Sequence, residues 1–101
     1  MDRQEQLLNR ALARVIAERR SDLGMTQADV WTAAGFSKTP YRDREQGKTA
    51  WQPDDLLGVA RVLGTHAWKL MKVAEERVAR DPSFGQDRAA AELDGALGLT
   101  E

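Results

Sequence analysis

Cysteine is absent from the 101 residues, and histidine occurs once, as His66. The first absence excludes disulfides, thiolate zinc sites and cysteine nucleophiles. The second leaves little material for metal binding or for the usual acid–base catalysis, so neither a metal site nor a cofactor is expected. Long apolar runs are missing too. Nothing approaches the ~20 residues that span a bilayer, and no apolar stretch of signal-peptide type follows the N-terminus. Membrane insertion and export are therefore not expected, and a cytoplasmic place is. Strand signals are nearly absent, since no stretch rich in β-branched or aromatic residues alternates apolar with polar positions. There is no phosphate-binding loop, no metal-ligand spacing and no nucleophile with a base, which makes an enzyme the weakest functional class.

The chain has 42% apolar and 31% charged residues, close to a globular composition. A chain this short buries about two-thirds of its unfolded surface, which suits one core and one domain. The net charge of −1 is unevenly spread. Met1 to Arg80 holds 14 Lys/Arg against 11 Asp/Glu, or +3, whereas Asp81 to Glu101 holds one Arg against five acids, or −4. The division expected is a mildly basic body, residues 1–80, and an acidic tail, residues 81–101, weakly helical or disordered.

Helical spacing runs through most of the body. Leu8, Leu12, Val15, Ile16 and Leu23 recur at steps of three or four and predict a long first helix that Leu23-Gly24 ends. Thr26 with Asp29 three residues later has the form of a capping box and starts a short second helix, stopped at Gly35. Ser37 is the expected cap of a third helix with Pro40 in its first turn, ending at Gly47. Pro53-Asp54-Asp55 opens a fourth, expected to be buried on most sides through Leu56, Leu57, Val59, Ala60, Val62 and Leu63. Thr65 is the expected cap of a fifth, with a broad apolar face of Ala67, Trp68, Leu70, Met71, Ala74 and Val78. Five helices and a tail make an all-α fold.

The segment Thr26 to Gly47, TQADVWTAAGFSKTPYRDREQG, places two short helices around a glycine-containing turn. With Leu23-Gly24, Thr26-Gln27, Gly35, Ser37, Glu45, Gly47 and the Leu57…Ala60…Leu63-Gly64 pattern, it resembles the Cro/repressor-type (Xre-like) helix-turn-helix DNA-binding family over roughly Ala11 to Met71. The resemblance implies a compact five-helix lambda-repressor-like domain whose second motif helix enters the major groove. By matching position, Lys38, Thr39, Arg42 and Asp43 would face base edges, with Tyr41 pointing inward. Lys38 and Arg42 suit guanine O6/N7, Thr39 a base or a thymine methyl group, and Asp43 cytosine N4. An exposed Lys/Thr/Arg/Asp set also suits an ordinary solvated helix face. Gln27 matches a phosphate-contacting position, Lys48 in the loop after the second motif helix is a second phosphate candidate, and Arg20 and Glu45 match a structural ion pair between the first and third helices.

Trp31 and Arg44 depart from the family pattern, which wants a small and an apolar residue there. Three readings stand: the Arg44 guanidinium stacks on the Trp31 indole, the interhelix angle differs, or Trp31 turns outward to a partner. Trp51 stands in a loop where the family approaches DNA or a dimer partner, though core packing explains it equally. Core packing is the expectation for Trp68, and His66 reads as a polar residue at the start of the fifth helix.

The function implied is a sequence-specific DNA-binding transcriptional regulator of prokaryotic or phage type. It would be a repressor or Cro-like switch on double-stranded operator DNA, acting as a homodimer through Trp68, Met71 and Val78. The alternative is a protein-interaction module on the same scaffold, an antitoxin or antirepressor, meeting its partner through Trp31 or the tail.

Overall fold

A computed structural model describes residues 2–81, so the readings made for the acidic tail lie outside the described residues. Among these residues the chain is all helical: α1 (Arg3–Asp22), α2 (Gln27–Ala34), α3 (Lys38–Glu45), α4 (Pro53–Val62) and α5 (Ala67–Arg80). None of these helices is long and apolar enough to cross a membrane.

Local hydrogen bonding sets the boundaries. Asp2 and Glu5 form a capping box that begins α1. Thr26 and Asp29 do the same for α2: the Asp29 amide donates to Thr26 Oγ1 at 3.0 Å and the Thr26 amide to Asp29 Oδ2 at 2.8 Å. That pairing holds the Asp29 carboxyl below its ordinary range, through the backbone bond first and then the Thr26 hydroxyl. Gly35 ends α2 at φ +82°, a left-handed conformation that side chains strain to adopt, and lets the Phe36 amide reach back to the Trp31 carbonyl at 2.8 Å. This turn sets α3 across α2. Ser37 stands at the N-cap of α3 without a side-chain bond, and His66, rather than Thr65, occupies the N-cap of α5.

All five helices contribute to one core. Ile16 from α1, Val30 from α2, Tyr41 from α3 and Val59 from α4 are fully enclosed, with Leu63 beside them and Leu70 and Ala74 from α5. Burying each aliphatic side chain of this size contributes about 1.5–3 kcal/mol relative to exposure. The most extensive packing is between α1 and α5, while α2 sits on α4. Arg19 ties α1 to the end of α4, donating from Nε to the Leu63 carbonyl at 2.9 Å and from Nη2 to the Gly64 carbonyl at 3.3 Å. Those carbonyls have no partner inside their own helix, so a cation there supplies the missing donors.

Two expectations are corrected. The helix α4 is not buried on most sides, because Leu57 is 56% exposed, and Trp68 is not a core residue, being 62% exposed. Only one stripe of each helix meets its neighbours. On α5 that stripe is Leu70, Ala74 and Val78, and Trp68 lies outside it.

Candidate nucleic-acid interface

A short helix with no apolar face of its own must be held by something other than a hydrophobic stripe. In α3 only Tyr41 is buried, and it is anchored from both ends. Its ring lies edge-on to Phe36 (5.6 Å between centroids) and to Trp51 (5.9 Å), and Trp31 packs against it at 6.2 Å. Edge-to-face pairs of this kind add about 0.5–1.5 kcal/mol each beyond the area they bury. At the other end its hydroxyl donates to Glu45 Oε2 at 2.6 Å.

Glu45 is the second anchor. Its side chain is 4% exposed, and four donors converge on it. Arg20 Nε and Nη2 form a two-pronged contact at 3.0 and 2.9 Å, Gln27 Nε2 donates at 2.7 Å, and Tyr41 completes the set. Burial alone would push the Glu45 carboxyl up, but the bonds from Arg20, Gln27 and Tyr41 together outweigh it and hold the group below its ordinary range. The same cluster pushes the Tyr41 phenol well up, burial first and the neighbouring carboxylate second. The hydrogen bond to Glu45 chiefly raises Arg20. Arg20 also donates from Nη1 to the Met25 carbonyl at 2.9 Å, so one guanidinium joins α1, the start of α2 and the end of α3. The carboxylate is thus neutralised from within and adds no free negative charge near α3.

Arg44 is a third tether, though not to Trp31. Its guanidinium lies over Phe36, 5.4 Å from the ring centroid, while Nε donates to Asp55 Oδ2 at 2.8 Å and Nη1 to the Pro40 carbonyl at 3.0 Å. Asp55 Oδ2 also accepts from the Gln52 amide at 2.9 Å, so α3 is tied to the first turn of α4. Trp31 is half-buried against Tyr41, which gives the large residue a place inside the motif.

With these tethers inward, the outward stripe of α3 carries Lys38, Thr39 and Arg42, all exposed, with Asp43 half-buried beside them. Lys48 is exposed in the following loop, its amide bonded to the Asp43 carbonyl at 2.8 Å. Gln27 stands at the first position of α2, with its amide nitrogen committed to Glu45. Trp51 is 7% exposed and belongs to the core. Val78 is buried within the chain, whereas Trp68 and Met71 border an open apolar groove of about 510 Å³ with Leu8, Leu56 and Leu57. Sequence reasoning missed the bonds of Gln27 and Tyr41 to Glu45. The Tyr41–Glu45 spacing of four on one helix was the available signal for the second. Nothing in the sequence marks Arg44 and Asp55 as partners.

Two helices crossing at a glycine turn, with the second one locked from behind and bearing a polar stripe in front, define a helix-turn-helix module. The chain belongs to the helix-turn-helix domain family, whose model matches residues 11–67, more than half its length. Among solved structures it is similar to the clp gene regulator ClgR from Corynebacterium glutamicum, with a TM-score of 0.67 and 23% identity over 96% of this chain and 97% of that one. At that identity the likeness establishes the fold. A comparison with curated proteins finds no match. Helix-turn-helix modules are a DNA-binding class, which sets the class of activity for this chain.

Proposed function

We propose that this protein is a sequence-specific DNA-binding transcriptional regulator of the phage-repressor or Cro-like kind, occupying operator DNA as a homodimer. The observation that carries the reading is the contrast between the two faces of α3. Its inner side is fixed by Tyr41, Glu45 and Arg44, and its outer side presents Lys38, Thr39 and Arg42, which nothing among the described residues covers. Rigid placement is what base reading needs, because a hydrogen-bonding side chain discriminates only when its backbone is held in register. Lys38 and Arg42 then donate to guanine O6/N7, Thr39 meets a base or a thymine methyl group, and Asp43 accepts from cytosine N4. Lys48 holds a phosphate. A carboxamide nitrogen has two hydrogens. Gln27 therefore gives one to Glu45 and keeps the other for a phosphate at the start of α2, where the helix N-terminus favours an anion.

The test is a titration of the full chain against a duplex from its gene's own upstream region and a scrambled duplex, at several salt concentrations. Tighter, salt-dependent binding to the first is expected. Equal binding to both, or none, contradicts the reading.

One module reads few bases, so a second half-site about 34 Å away requires a second copy. Exposed Trp68 and Leu57 and half-buried Met71 supply an apolar face for it. Trp68→Glu is expected to convert a dimer into a folded monomer in sedimentation, since the side chain it replaces stands outside the core. A folded monomer of the unmodified protein at high micromolar concentration contradicts the assembly.

A further inference from the structure

Beside the end of α3 lies a groove of about 690 Å³ between the middle of α1 and the last turn of α5. Its floor is small, with Ala13 and Ala17, and its walls carry Arg10, Arg14, Arg77 and Asp81 opposite Gln46, Gly47 and the internally neutralised Glu45. Arg77 is taken, donating to Glu18 at 2.6 Å. Arg10 and Arg14 are exposed, and among the described residues neither makes a hydrogen bond or an ion pair; Arg14 only adds a through-space attraction to Glu18. Two arginines on one helix face, about 6 Å apart along the axis, make a short cationic row with no partner among the described residues.

Its location is what gives the row a ligand. Arg10 lies against Gly47, so closely that a Cβ there would stand 3.4 Å from Arg10 Cγ. Gly47 precedes Lys48, the loop cation already assigned to phosphate. An eight-residue α3 is about 12 Å long, close to the width of the major groove. If its N-terminal end reaches the bases, its C-terminal end stands at the mouth of the groove, where the phosphate strand runs. Lys48, Arg10 and Arg14 are then consecutive cations along that edge.

Resting on the DNA-binding reading above, we propose that Arg10 and Arg14 are phosphate-binding residues that extend the DNA footprint from the motif along α1. They carry affinity and orientation, not sequence preference. Each neutralised phosphate contributes about 0.9 to the slope of log affinity against log salt.

The test is binding of the full-length Arg10→Ala, Arg14→Ala and double variants to the upstream duplex and to an unrelated duplex of equal length, across salt. Each single change is expected to flatten the slope by about 0.9 and the double by about 1.8. Raising salt from about 50 to 200 mM then costs the double variant roughly tenfold less affinity than it costs the unmodified protein. The loss should be equal on both duplexes and reversed by Arg→Lys at the same positions, with unchanged circular dichroism. An unchanged slope with binding retained overturns this inference alone. An increase in affinity also overturns it, because the arginines then hold an acidic segment of the chain itself instead of DNA. Failure of the unmodified protein to bind either duplex removes the DNA-binding reading, and this inference with it.

Discussion

Glu45→Ala is expected to lower the stability of the folded chain by about 3 kcal/mol, measured by urea unfolding at neutral pH. Removing one partner of an enclosed ion pair costs about 3–5 kcal/mol, because the partner left behind stays desolvated. The low end applies because Arg20 retains 18% exposure and its bond to the Met25 carbonyl. The Tyr41 hydroxyl and the Gln27 amide lose their acceptor in the same step. The pH dependence follows from the depressed Glu45 carboxyl. A group whose folded pKa lies below its unfolded value, about 4.3 for Glu, gives its full contribution above that value and loses it as pH falls through the folded one. Glu45→Gln keeps the shape without the charge, so part of the acid-induced loss of stability below about pH 4 should disappear in that variant. The same acid dependence in both proteins contradicts the role given to this carboxylate.

Trp51→Ala is expected to cost about 3–5 kcal/mol, the range for truncating a large aromatic side chain in a core. The indole lies edge-on to both Phe36 (6.3 Å) and Tyr41 (5.9 Å), so its loss opens a cavity directly behind α3. Trp51→Phe should cost far less. It keeps ring packing and removes an indole N–H that is buried with no acceptor among the described residues. Were Trp51 instead a surface residue touching DNA or a partner, its truncation would weaken binding and leave the unfolding midpoint in place.

Helix boundaries were legible where a local bond decides them. Thr26 with Asp29, and the glycines at 35 and 47, act within four residues of themselves, so the sequence alone marks them. The Arg20–Glu45 pair is 25 residues apart and came only from the family resemblance. Arg44 and Asp55 had no such guide, and the stacking of Arg44 on Trp31 gave way to Phe36 and a partner on another helix. Aromatic residues were the hardest to place. Trp51 sits in a loop, where no period tells inside from outside. Trp68 sits on a helix whose apolar face is broader than the strip its neighbours cover, so pattern assigned it to a core that Leu70, Ala74 and Val78 already fill. The outer stripe of α3 came from the family resemblance, and the structure has Tyr41 turned inward with Lys38, Thr39 and Arg42 exposed.

The most direct test of a DNA-reading α3 is a titration of Lys38→Ala and Arg42→Ala against a set of single-base variants of the bound duplex. If these side chains read bases, each variant loses about 1–3 kcal/mol at one base pair and becomes indifferent to substitution there, with discrimination kept elsewhere. An even loss across every duplex, or no loss at all, contradicts base reading by this helix.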